Sequence, residues 1–408
     1  MHNAKSSRYR WVIQTLLILV QLSIGINILA PAPLFPLIMD DFGLGRSTVS
    51  LMIALVAFML AVGNVPSGIL AVRFGLHKTI FAGIVLMSAG VLSPLATSFP
   101  VLLALRVVFG FGVGIAIPLV GAVTSQWFDQ RELPVASGLS WTGQTGGMAL
   151  SMFLSVPLAN IFGWTSVLFI YSLVPLALAF AWFIFGRDPQ SERVSTPKTS
   201  VLELLKVAKE RTTLLLVLAV VGPFFAYISL NSWLPTYYHE VRGFSLTKAG
   251  FMVGFLPLTG IFANIFVAVV PAKVGLRRPF LIWPGLIYVF AAFGTFLFNS
   301  DQVVYVSIVV LGFVQWMFMP MIFTIAMELR GKSPEKVAMI IGTALTIGNI
   351  VSLAGPILIG ITTDAIGSYI PGFSVLALAP LTLLLAGIFL PETGPGSGKK
   401  SSDSDSVD

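Results

Sequence analysis

Twelve apolar stretches, each separated from the next by a short polar segment, run the length of the chain. A hydrocarbon core of roughly 30 Å takes about 20 residues of α-helix to cross. Reading from one polar break to the next gives spans at 11–39, 48–70, 79–98, 100–126, 136–160 and 164–186, then 213–238, 247–271, 279–298, 302–327, 337–363 and 370–391. Each stretch is too long for a barrel strand, and backbone groups in lipid must be paired within their own segment, so helices are expected throughout. Lys5, Arg8 and Arg10 ahead of an apolar run containing Ala30-Pro31-Ala32 imitate a secretory signal. That run is too long for one and leads straight into further spans, so it reads as an uncleaved first helix.

Composition supports this pattern. Of the residues, 56% are apolar and only 10% charged, with a mean hydropathy of +0.93; soluble domains carry about 25% charge. The positions of the basic residues predict orientation. If both termini are cytoplasmic, only Arg46, Arg242 and Lys248 of the 24 Lys and Arg lie outside, and Arg106 falls within a span. The expected location is therefore the inner (cytoplasmic) membrane. The net charge of +7 then belongs to the cytoplasmic face and is no sign of nucleic-acid binding.

The longest polar connection divides the chain into an N-terminal half (1–186), a cytoplasmic linker (187–212), a C-terminal half (213–391) and a disordered, low-complexity tail (392–408). The linker's LELLKVAKER stretch suits a short surface helix. The halves repeat. Gly43 pairs with Gly243 and Asn64 with Asn264; VRFGLHK (72–78) aligns with AKVGLRR (272–278), and GFGVGIAIP ending at Pro118 with GFVQWMFMP ending at Pro320. A nearly constant offset across separate regions argues for duplication.

The loop GILAVRFGLHK (68–78) resembles the signature of the major facilitator superfamily, with Gly68, Arg73, Gly75 and Lys78 in place. RVVFGFGVG in the fourth span, with Arg106, Gly110, Gly112 and Gly114, is similar to that family's arginine-plus-glycine signature. GWTSVLFI (163–170), GPILIGITTDAIG (355–367) and PETGP (391–395) look familiar from it too, so the resemblance covers roughly 11–395. It implies an all-α integral membrane fold of twelve helices in two pseudo-symmetric six-helix bundles, working by rocker-switch alternating access. Gly68, Arg73, Gly75, Lys78, Lys273 and Gly275 would then be gating residues. Val72 stands where the family has an acid, as does Ala272 in the second half, which removes the usual charge latch. Gln144 replaces part of the glycine–proline pair of drug/proton antiporters, a departure from that subfamily. Subfamily similarity is faint, toward cyanate-type and small organic-anion porters. Glycines 110, 112, 114, 143, 146 and 147 are expected to permit close helix contacts.

By that resemblance, the first, fourth, seventh and tenth spans surround the central path. Their candidate substrate-binding residues are Arg106, Asn27, Tyr227, Asn231, Gln315 and Trp316, with Gln144 in the fifth span and Asn349 in the eleventh. A cation inside a span costs about 2.5–3.5 kcal/mol on insertion scales, so Arg106 either meets substrate or is held by backbone carbonyls. Each amide likewise either touches substrate or bonds between helices. Trp233, Tyr237 and Tyr238 suit an interfacial belt. Asp40, Asp41, Glu240, Glu328 and Asp364 all fall near span ends, which leaves proton coupling without an obvious carrier.

These features point to a secondary transporter of a small organic anion such as a monocarboxylate. The runner-up is an exporter of neutral or amphipathic compounds, and the alternative of another class is a non-transporting receptor or scaffold. No cysteine is present, His2, His77 and His239 form no ligand cluster, and no phosphate-binding glycine loop occurs. No catalytic residue, metal or cofactor is expected; the partners are a small-molecule substrate, a coupling ion such as a proton, and the bilayer, for a monomer. The orientation is checked with tags at either terminus or within 190–210. They should resist membrane-impermeant reagents in intact cells, and labelling of 190–210 from outside would reverse it.

Overall fold

The computed structural model describes residues 8–129, 132–187, 209–328 and 334–394. The side chain of Lys273, nearly all of the expected linker and its surface helix, and residues 395–408 of the tail lie outside the described residues. Among the described residues, eleven helices are long and apolar enough to cross a bilayer, and Pro279–Gly294 is a shorter apolar one. The first half comprises a first span of Tyr9–Leu29 continuing into Phe35–Phe42, then Leu51–Phe74, Leu76–Met87, Phe99–Trp127, Leu133–Phe162 and Trp164–Phe185. The second half comprises Arg211–Glu240, Leu246–Val274, Pro279–Gly294, a tenth span split into Asp301–Val314 and Phe318–Glu328, an eleventh split into Pro334–Ser352 and Ala354–Ile366, and a twelfth split into Ile370–Leu378 and Leu381–Phe389.

The breaks fall where proline withholds an N–H from the carbonyl four residues earlier. Pro31 and Pro33 end the first helix at Leu29, Pro320 follows the break at Gln315–Met317, and Pro356 and Pro380 sit beside those of the last two spans. The third helix tightens into a 3-10 turn over Ser88–Leu95, which contains Pro94. The ninth helix stops at Gly294, short of the expected 298; the chain winds on through turn hydrogen bonds as far as Leu297, and side chains take the next carbonyls. Tyr238 donates to Thr295 O at 2.8 Å and Tyr237 to Phe296 O at 2.9 Å. These two tyrosines and Trp233 are buried between helices, correcting their placement in an interfacial belt.

The repeat is visible in the backbone. Gly43 and Gly243 (φ 63° and 66°), Gly75 and Gly275 (87° and 71°), and Gly163 and Gly367 (81° and 73°) take positive φ at matched turns. Only glycine adopts such angles without steric cost.

Glycine also sets the packing. A methyl group at Gly147 would sit 2.2 Å from Leu22 O, at Gly143 2.6 Å from Ile18 O, and at Gly114 2.4 Å from Leu60 O. The first span therefore lies backbone-to-backbone on the fifth, and the second on the fourth. Gly110 and Gly112 are equally enclosed, but Gly146 has no such neighbour, a departure from expectation that follows from its facing away from the first span. Gly68 likewise has no neighbour within 4 Å. The halves meet along the fifth and eighth spans, where Phe153 packs on Phe251 and Phe255 with ring centroids 4.9 and 5.9 Å apart. Exposed Phe180, Phe183, Phe262 and Phe290 cover the periphery, the apolar surface that lipid accommodates. Gly147→Val should lower the midpoint of thermal unfolding in detergent, since overpacking costs about 1–3 kcal/mol. Gly146→Val should leave it nearly unchanged, and equal effects would contradict this packing.

Candidate functional site

Arg106 is buried in the fourth span and spends its donors on backbone. Nε reaches Met52 O at 3.0 Å, and the two terminal nitrogens reach Asn27 O at 2.7 Å and Ile28 O at 3.0 Å. The reason lies in the first span. Asn27 O would pair with the N–H of residue 31, which is proline, and Ile28 O belongs to the last turn, where carbonyls lack helical partners. A guanidinium at the negative end of that helix satisfies both carbonyls and the dipole. Phe109 lies under it at 5.0 Å. The cavity beside it, about 20 Å³, is lined by Asn27, Ser93, Leu168 and Ser172 among others, all from the first half.

Asn27 turns the same way. Its Nδ2 donates to Ser23 O and Tyr171 O at 3.0 and 3.1 Å, and Ser172 Oγ donates to its Oδ1 at 3.3 Å. The structure therefore ties Asn27 to the sixth span and does not bring its amide to Gln315. Asn349 is half-buried and donates to Leu345 O within its own helix at 2.9 Å.

Tyr227 and Trp316 do come together, with ring centroids 5.2 Å apart at 74°. The Tyr227 hydroxyl crosses between the halves to Met148 Sδ at 2.7 Å. Gly260 makes room for the indole; a methyl group there would lie 2.2 Å from Trp316 Cδ1. Gln144 and Asn231 stand one helical turn from Met148 and Tyr227, on the same faces. Within one helical turn of Tyr227, Trp316 and Met148 along the chain, several buried atoms have no protein partner: both side-chain polar atoms of Gln315, Nε1 of Trp316 itself, Oε1 of Gln144 and Oδ1 of Asn231. Asn231 Nδ2 donates to Tyr227 O at 2.8 Å, which fixes its oxygen as the free acceptor. Met148 went unremarked in the sequence because a methionine in an apolar span carries no signal.

A second cross-half contact closes the end of the bundle that carries Arg46. Arg46 pairs with Glu240 at 2.7 Å and Asp364 at 3.7 Å, and its Nε donates to the Tyr369 hydroxyl at 2.9 Å. Tyr369 in turn donates to Glu240 at 2.8 Å, while Asp364 accepts the backbone N–H groups of Arg46 and Ser47. Burial, reinforced by the Glu240 carboxylate, holds the Tyr369 phenol well above its ordinary range, so it remains a donor. The ring is also stacked on Phe373.

The expected gating residues lie at the opposite end. Arg73 is exposed over Phe74 at 5.3 Å and Lys78 is exposed. In the second half Arg277 forms the ordered contact, pairing with Glu328 at 2.8 Å and donating to Pro271 O at 2.7 Å. Glu392 accepts the N–H groups of Arg277 and Arg278 at the start of the ninth helix, which gives the PETGP segment a capping role. Among the described residues no His/Cys/Asp/Glu group of metal-binding size occurs.

The Major Facilitator Superfamily profile matches residues 17–348, and the chain belongs to that family. The 4-hydroxybenzoate transporter PcaK of Pseudomonas aeruginosa is 27% identical over 297 residues, 64% of this chain and 66% of its own length, so the chain spans just under two thirds of that relative. The 2-nitroimidazole transporter of Escherichia coli is 24% identical over 93% of this chain and 95% of its own. A bacterial homologue of the lysosomal transporter Spinster, solved inward-facing and unoccupied, superposes with a TM-score of 0.74 at 17% identity, covering 94% and 97% of the two chains.

Arg106→Gln should leave the Asn27 and Ile28 carbonyls short of donors. Hydrogen bonds from a charged group contribute about 1.5–3 kcal/mol, so a loss of that order is expected, with Arg106→Lys recovering part. An unchanged unfolding midpoint for the Gln variant in detergent would contradict the capping role.

Proposed function

We propose that this chain moves a small organic solute across the cytoplasmic membrane by alternating access, with its termini and the Arg277 end cytoplasmic. The observation that carries this reading is the central contact, where Tyr227 of one half touches Met148 of the other and where residues within a turn of each carry buried polar atoms without partners. An unpaired buried polar group costs about 1–3 kcal/mol, a cost that a bound solute offsets. In the state described here the Arg46 cluster closes the external end, and its parting opens the site to that side. With Val72 in place of the family's acid, the internal latch is weaker than the external one, so the resting balance favours access from inside. Relatives named for 4-hydroxybenzoate and 2-nitroimidazole support a small organic cargo. The anion class expected from Arg106 loses its carrier, because that guanidinium serves backbone carbonyls within the first half.

The chain lacks cysteine, so introduced thiols are the sole reactive ones. With Ser47→Cys and Asp364→Cys joined by a short bis-thiol linker, uptake of labelled 4-hydroxybenzoate or 2-nitroimidazole into proteoliposomes should fall at least tenfold relative to the same variant without the linker. Unimpeded flux through the linked protein, or none above empty liposomes for the unsubstituted chain, would overturn the proposal.

A further inference from the structure

We infer that the central contact is built for an uncharged planar ring whose polar edge both donates and accepts hydrogen bonds, such as an aryl amide or an N–H azole. This rests on reading the contact as the transport site. The count of free atoms carries it. Three oxygens lack a donor, those of Gln315, Gln144 and Asn231, and two N–H-bearing nitrogens lack an acceptor, Gln315 Nε2 and Trp316 Nε1. A carboxylate accepts only. It would serve the two donors but bring its negative charge against three lone-pair-bearing oxygens, with no cation among the described residues at the contact to compensate. An amide edge matches Gln315 in both senses, as one primary amide pairs with another. Tyr227 and Trp316 supply the apolar walls, set edge-to-face at 5.2 Å, and the polarizable Met148 sulfur lies against the phenol. Entry of a ring requires that Tyr227 leave Met148, which couples occupancy to parting of the halves.

Three probes isolate the two features. Benzamide carries the ring and the donor–acceptor edge; benzoate keeps the ring but only accepts; cyclohexanecarboxamide keeps the edge without the aromatic face. For purified protein, calorimetric binding of benzamide should be at least tenfold tighter than that of either other probe. Gln315→Leu should abolish the preference over benzoate, and Trp316→Leu the preference over cyclohexanecarboxamide. The wild-type ranking needs no variant to fold, so it tests the class directly. Benzoate binding as tightly as benzamide, or no binding of any probe, overturns the class. If benzoate binds more tightly and Gln315→Leu weakens it, the class fails while the site stands; if neither variant alters binding of the best probe, the site reading fails with it.

Discussion

In hydrocarbon a polar atom without a partner is costly, and nearly every irregular feature of this fold answers that constraint. Pro31 frees a carbonyl at the end of the first helix, and Arg106 reaches across from the fourth span to bond it. Beyond the end of the ninth helix, Tyr237 and Tyr238 donate to carbonyls that have no helical partner. Glu392 occupies the N–H groups at that helix's start. Buried side-chain atoms of Gln315, Trp316, Gln144 and Asn231 are among those that remain without a protein partner.

The two ends of the bundle use charge differently. At one, Arg46 draws together Glu240, Asp364 and Tyr369 from the opposite half, so the contact exists only while the halves are close. At the other, Arg277 and Glu328 belong to the same half and hold a turn whatever the halves do. The first arrangement makes a contact that senses conformation, the second a fixed joint.

Much of this was legible in the residues. Apolar run length fixed the twelve helices, and the matched glycines foretold the shared turns because positive φ is a local demand that glycine alone meets cheaply. The tenth-span amide and aromatic, together with Tyr227, were also nameable, since polar groups at mid-membrane depth are rare. The direction of a side chain around its helix was not. Asn27 and Arg106 lie at the depth expected, yet both point into their own bundle, a choice made by Pro31 and the sixth span. Nor could Arg46 be matched with Glu240 and Asp364, because those partners are brought together only by the way the halves pack.

The prolines have a mechanical consequence. In the second half the last three spans are each jointed by a break; in the first half the first span is broken and the third tightens into a 3-10 turn. A helix with an interrupted hydrogen-bond ladder bends at that joint more readily than along its length. Both halves therefore contain joints, with more of them in the second. The joint of the tenth span falls at Gln315–Met317, so this stretch of backbone is held by fewer helical hydrogen bonds than the continuous spans beside it.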